Sequence, residues 1–119
     1  MIASADGAAT VDGRAGGLGN DTDQTLLRLL RALADVVIAG SGPVVVEGYG
    51  PARVRPEYRE IRAALGQPPA PVMAVVSNQL RLDFSSRYFT GELQRPIVVT
   101  CAAAPADRLL AAHEVADVV

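Results

Sequence analysis

Between residues 36 and 40 this sequence runs Val-Val-Ile-Ala-Gly, with no polar residue to alternate. An apolar run without alternation predicts a strand covered on both faces, as in a parallel sheet. What precedes it strengthens that reading. Leu26, Leu29, Leu30 and Leu33 recur at the spacing of one helical face, so a helix leads into the strand. Asn20 or Asp21 is placed to cap its first turn, and Asp23 adds charge of the sign a helix start favours. In open α/β sheets, ligands sit beyond the carboxyl ends of the strands. Residues 41–53 are therefore the first place to look for chemistry.

The rest of the chain repeats the theme. Val-Met-Ala-Val-Val at 72–76 and Pro-Ile-Val-Val-Thr-Cys at 96–101 predict two more buried strands. Met1, Ile2, Ala3 and Ser4 form a short strand candidate at the start, and residues 117–119 begin another at the end. A second helix is expected over 56–65, with Pro56 at its first position and Gly66 ending it. Tyr58, Ile61 and Leu65 mark its buried side, leaving Arg59 and Arg62 solvated. The Pro-rich run at 67–71 reads as a stiff extended linker. Leu80, Leu82 and Phe84 alternate with Arg81 and Asp83, as in an edge strand or extended segment. Residues 85–91 read as a loop. A third helix is expected from Pro105, with Leu109, Leu110 and His113 on one side. One short stretch stays open: Pro43 suits the first turn of a helix, whereas Val44, Val45 and Val46 suit extended structure. The order of elements is that of an α/β, three-layer αβα domain with a mostly parallel central sheet.

A chain of 119 residues fits one domain and can bury a substantial core. Its net charge of −2 gives no sign of a nucleic-acid partner, and no long apolar run points to a membrane. The lone Cys101 excludes an internal disulfide and fits a reducing, cytoplasmic setting. Because it begins as if inside a strand and ends on an apolar stub, the sequence is expected to be a piece of a longer chain.

The chemical equipment is narrow. His113 is the only His, so neither a zinc site nor a Ser/His/Asp triad can be assembled. The Gly-rich run at 12–19 is neither of the usual phosphate fingerprints. Asp6 and Glu47 are the best two carboxylates. Ser4, Ser41, Ser77, Asn78 and Thr100 supply small polar groups at strand ends. Arg31, Arg53 and Arg55 suit a phosphate, which guanidinium groups hold in bidentate fashion. Such a site holds a phosphorylated ligand and leaves the difficult step to a cofactor, which fits hydride transfer better than hydrolysis.

Met-Ile-Ala-Ser-Ala-Asp-Gly at 1–7 and the Gly-rich loop are followed by Leu-Arg-Ala-Leu-Ala-Asp-Val-Val-Ile-Ala-Gly-Ser-Gly at 30–42. Together they resemble the reductase domain of riboflavin biosynthesis, the C-terminal domain of bifunctional deaminase–reductases. Gly-Tyr-Gly-Pro-Ala-Arg at 48–53 is similar to a branch of stand-alone pyrimidine reductases. The resemblance implies a dihydrofolate-reductase-like fold, incomplete here at the C-terminal side. It implies NADPH as cofactor and reduction of the ribosyl group of a phosphorylated 5-amino-6-ribosylaminouracil to ribityl. By the same resemblance, Ile2, Ser4, Leu18, Pro43, Glu47, Ser77 and Asn78 face the cofactor, and Glu47 is the candidate catalytic carboxylate. Ala15, Gly16, Arg31, Pro51 and Arg53 face the substrate, Arg31 and Arg53 at its phosphate, with Arg55 a weaker match. Three departures stand out. Ala5 replaces a Leu, Pro43 replaces a Thr, and the family's later Gly-Gly phosphate turn does not occur. Two other readings are a truncated α/β domain with a structural or interaction role, and a reductase of the dihydrofolate type. Exposed strand edges imply a homodimer.

Overall fold

The computed structural model describes residues 19–91 and 93–119. The expected strand at residues 1–4, most of the Gly-rich loop, and the candidate residues Ile2, Ser4, Ala15, Gly16 and Leu18 lie outside them. The chain divides into two compact units, residues 1–31 and 32–119. What is described of the first is the start of helix α1, Asp21–Leu33. Asn20 caps it as expected: its Oδ1 accepts the Asp23 N–H at 2.9 Å. One turn on, Gln24 Oε1 accepts from Arg28 at 3.0 Å.

The second unit carries β1 (Val36–Gly40), α2 (Ser41–Val46), α3 (Pro56–Ala64), β2 (Val72–Val76), α4 (Arg87–Thr90), β3 (Ile97–Val99), α5 (Ala106–Val115) and β4 (Asp117–Val118). The four strands form one parallel sheet in the order β1-β2-β3-β4. The α/β class and the parallel sheet are thus as the sequence predicts. Gly40 lies opposite Val76, and Val75 opposite Val98.

Alternation assigns the two faces of the sheet. Val75 and Val98 are fully buried on one face, beneath Val44 of α2, Tyr88 and Phe89 of α4, and Ala112 of α5. Ala39, Met73 and Val118 join the same cluster. On the other face Ile38 is 68% exposed, and Val36 and Val76 are also exposed. This corrects the expectation that β1 is covered on both sides: it is the edge strand of the described sheet.

The undecided stretch at 41–46 is helical. Gly40 supplies the extended N-cap, and Val44 turns into the core. Of the two readings of 80–84, edge strand or extended segment, the strand does not form. Leu80 has a φ of +50°, which breaks the extended path, yet Leu80 and Leu82 are both buried, so the alternation marked burial rather than pairing. Within the expected loop at 85–91, residues 87–90 make one helical turn, because Tyr88 and Phe89 pack edge-on into the core at 4.9 Å between ring centroids. In α5 the buried side is carried by Ala112, not by Leu110 and His113, which are exposed. Arg95 ties the end of α5 to β4, donating to the His113 and Ala116 carbonyls and to Asp117 Oδ1.

The largest departure is Arg62. Expected in solvent, it is fully buried. Its guanidinium donates to the carbonyls of Ala32 and Ala34, each at 2.8 Å, and its Nε to that of Pro68 at 2.7 Å. Ala32 lies in the last turn of α1, where carbonyls lack helical partners and favour a cation. Gln67 donates to the Leu33 carbonyl and to Asp35 Oδ1 beside it. Ile61 and Leu65, expected to be buried, are exposed instead. Helix α3 therefore docks through a charged side chain, and the pair pins the segment entering β1.

Candidate functional site

Two places in the second unit gather the predicted residues. The first is the carboxyl edge of the sheet. Because Gly40 and Val76 are paired in register, Ser41 and Ser77 leave adjacent strands side by side. Ser77 is buried. Its N–H donates to the Val99 carbonyl at 3.0 Å, and its carbonyl accepts from Thr100 Oγ1 at 2.8 Å. The backbone there is fixed from both sides. Asn78 follows, exposed, with its carbonyl 3.9 Å from Cys101 Sγ. On β1 the chain passes straight into α2. Pro43 lies exposed in its first turn, and Glu47 is its C-cap, exposed, its N–H bonded to the Pro43 carbonyl. A Cβ added at Gly42 would meet nothing within 4 Å, so the backbone is open to close approach. Pro43, Ser77 and Asn78 thus stand close after the ends of two neighbouring strands, whereas Glu47 lies at the far end of α2.

The second place is a cleft of about 540 Å³, lined by Pro51, Arg53, Val54, Arg59, Arg87, Thr90, Gly91 and Leu93. The loop before α3 forms one wall and α4 with its C-terminal continuation forms the other. They meet where Gly91 approaches Pro51; a Cβ on Gly91 would fall 2.5 Å from the Pro51 Cβ. Beneath lies a hollow of about 10 Å³ that shares Pro51 and Leu93 and is lined also by Pro71, Met73, Tyr88 and Pro96. Tyr88 is buried, its hydroxyl has no partner among the described residues, and burial pushes its pKa up to about 12. Away from the cleft lining, Asp83 accepts from both the Oγ and the N–H of Ser85, which holds its carboxyl below the usual range.

Of the predicted substrate residues, Pro51 and Arg53 line this cleft together. Arg31 stands in the last turn of α1. Arg55 pairs instead with Glu57 at 3.6 Å, on the surface. The cleft also contains two arginines that sequence reasoning assigned no role. Arg59 was read as a solvated helix residue, and Arg87 as part of a loop. Residues 53, 59 and 87 share no local spacing, so only the fold brings them together. Pro43, Glu47, Ser77 and Asn78 do not line it.

The family model described as RibD C-terminal domain matches residues 1–117. The chain belongs to the RibD C-terminal domain family. Among solved structures, a pyrimidine reductase-like protein from Corynebacterium diphtheriae superposes on this RibD C-terminal domain with a TM-score of 0.86 at 32% identity. That match covers all of this chain and 52% of the other, so the chain spans about half the length of that relative. No curated protein matches significantly. The dihydrofolate-reductase-like fold expected from the sequence agrees with this likeness. Among the described residues, no helix of the RibD C-terminal domain is long and apolar enough to cross a membrane.

Proposed function

We propose that this RibD C-terminal domain acts in an NADPH-dependent reductase that converts the ribosyl group of a phosphorylated 5-amino-6-ribosylaminouracil to ribityl. Membership of the family is the observation that carries the reading. The pyrimidine reductase-like structural relative supports it.

The residues present suit a dinucleotide in kind. The carboxyl edge of β1 and β2 offers small side chains, open backbone at Gly42 and a fixed Ser77, where α/β sheets receive nucleotides. In this reading Pro43, Ser77 and Asn78 border NADPH, and Ile2, Ser4 and Leu18 join them. Pro43 has no N–H to offer, so it contributes contact only. NADPH, when bound, supplies the hydride. Glu47, exposed at the end of α2, is the carboxylate for orienting the cofactor side of the site or holding a proton. Arg31, Pro51 and Arg53, with Ala15 and Gly16, hold the phosphorylated substrate. The domain spans residues 1–119 as one portion of that reductase, working in the cytoplasm. A homodimer belongs to the same proposal, supported by β1, which among the described residues is an exposed edge strand.

The test is direct. The protein is mixed with NADPH and either the phosphorylated aminopyrimidine or dihydrofolate, and NADPH consumption is followed. Turnover of the first alone is expected. Turnover of dihydrofolate alone, or of neither, overturns the proposal.

A further inference from the structure

We infer that Thr100 and Arg108 are positioning residues, which clamp the loop after β2, residues 77–82, in the shape that presents the Ser77 hydroxyl to the cofactor. That NADPH is the molecule received rests on the reductase reading above; the clamp rests on the hydrogen bonds of the loop.

Val76 is paired with Val99, so Ser77 and Thr100 leave β2 and β3 side by side. Ser77 is held there through both of its peptide groups. Its N–H donates to the Val99 carbonyl at 3.0 Å, and its carbonyl accepts from Thr100 Oγ1 at 2.8 Å. Thr100 is itself fixed, its N–H donating to the Val119 carbonyl at 2.8 Å. Among the described residues the Ser77 hydroxyl makes no hydrogen bond. The backbone of Ser77 is therefore committed to the fold, and its side chain is left for a ligand.

The far end of the loop is held in a second way. Leu80, with a φ of +50°, is the only residue other than glycine in the left-handed region among the described residues. That conformation costs an L-residue free energy and persists where the surroundings impose it. Here the Leu80 side chain is fully buried in the core cluster. Its carbonyl accepts from the Leu82 N–H at 2.8 Å and from Arg108 Nη1 at 3.3 Å, reaching back from the first turn of α5. Between the two clamps, Cys101 Sγ makes a weak contact with the Asn78 carbonyl at 3.9 Å. Every one of these donors outside the loop belongs to the segment from β3 into α5. A loop held in shape beforehand spends less ordering free energy when a ligand arrives, so these bonds act on affinity without touching the ligand. The Thr100 bond goes to the Ser77 carbonyl and not to its hydroxyl. Removing it leaves every ligand-facing atom of Ser77 present and changes only where the residue stands.

The experiment follows two readouts on the full chain: NADPH binding by fluorescence titration, and amide hydrogen exchange by NMR. The informative amides are Ser77 and Leu82, bonded to the Val99 and Leu80 carbonyls. Val72, bonded to the Asp35 carbonyl at the other end of β2, is the reference. Thr100→Val should speed exchange at Ser77 about tenfold and weaken NADPH about tenfold, and Thr100→Ser should restore both. Arg108→Gln should speed exchange at Leu82 and weaken NADPH severalfold. Arg108 is exposed, so its variant carries the test if Thr100→Val fails to fold, which thermal melting shows. Exchange at Val72 should stay as in the wild type. Equal acceleration at Val72 would reduce the effect to general loss of stability and overturn the inference. So would unchanged exchange at Ser77 and Leu82, or NADPH affinity that stays at the wild-type level in a loosened loop. Weaker NADPH binding in Arg108→Gln without faster exchange at Leu82 would make Arg108 a charge and not a clamp, and would overturn its part. Local loosening in a protein whose wild type binds no NADPH would keep the clamp and remove the reductase reading.

Discussion

Gly91 lies against Pro51 so closely that a methyl group on Gly91 would sit 2.5 Å from the Pro51 Cβ, 2.8 Å from its Cγ and 3.3 Å from the Arg87 carbonyl. The backbone at Gly91, with φ −68° and ψ 142°, suits any residue. It is space, not conformation, that calls for glycine. Proline is a stiff neighbour and the carbonyl is backbone, so neither yields cheaply. Gly91→Ala should therefore cost about 1–3 kcal/mol by overpacking, read from urea denaturation. An unchanged denaturation midpoint would show that the two walls are not held by this contact.

Arg62 gives the second prediction. A buried guanidinium bonded to three carbonyls leaves those acceptors unsatisfied when it is removed. Arg62→Met should destabilise by about 3 kcal/mol, within the usual cost of stripping a buried charge from its partners. Lysine cannot reproduce the fork, so Arg62→Lys should recover little. Chemical denaturation of the two variants provides the check.

Tyr88 gives a pH dependence with a definite sign. Its folded pKa is raised to about 12, above the ordinary value of 10, by burial. An acid raised in the folded state contributes stability that is fully present below the unfolded pKa and lost as pH rises. The loss from this group should run from about pH 10 to about pH 12, at about 1.4 kcal/mol per pH unit. Tyr88→Phe removes that slope. Since the hydroxyl has no partner among the described residues, the substitution should be neutral or slightly stabilising at pH 7. Parallel losses of stability in both proteins between pH 10 and 12 would contradict it.

These residues also show what a sequence can reveal. The strands at 36–40 and 72–76 and the helix from Pro56 were readable because periodicity, proline and glycine act locally. Alternation at Leu80 and Leu82 truly reported burial, but nothing local could say that no strand pairs with them. The Val44–Val46 run favoured extended structure, and packing of Val44 against the core decided for helix. Arg62 was invisible, because its partners Ala32 and Ala34 are backbone carbonyls about thirty residues away. The cleft was half readable: Pro51 and Arg53 come from the family-like stretch, whereas Arg59 and Arg87 join them only through tertiary structure.

Arg31, in the last turn of α1, is proposed to hold substrate rather than cofactor. Arg31→Ala should raise the KM for the phosphorylated aminopyrimidine while leaving NADPH binding nearly unchanged, as loss of uniform substrate binding requires. Steady-state kinetics with each reactant varied in turn would show this. Equal losses for both reactants would contradict the assignment.

The account turns on a reductase that recognises its substrate by the phosphate. The most direct measurement is kcat/KM with NADPH for the phosphorylated aminopyrimidine and for its dephosphorylated form, in the wild type and in Arg53→Gln. The wild type should favour the phosphorylated form by about a hundredfold or more, and Arg53→Gln should cut that preference about tenfold. Equal efficiency on both forms, or a preference untouched by Arg53→Gln, would contradict it.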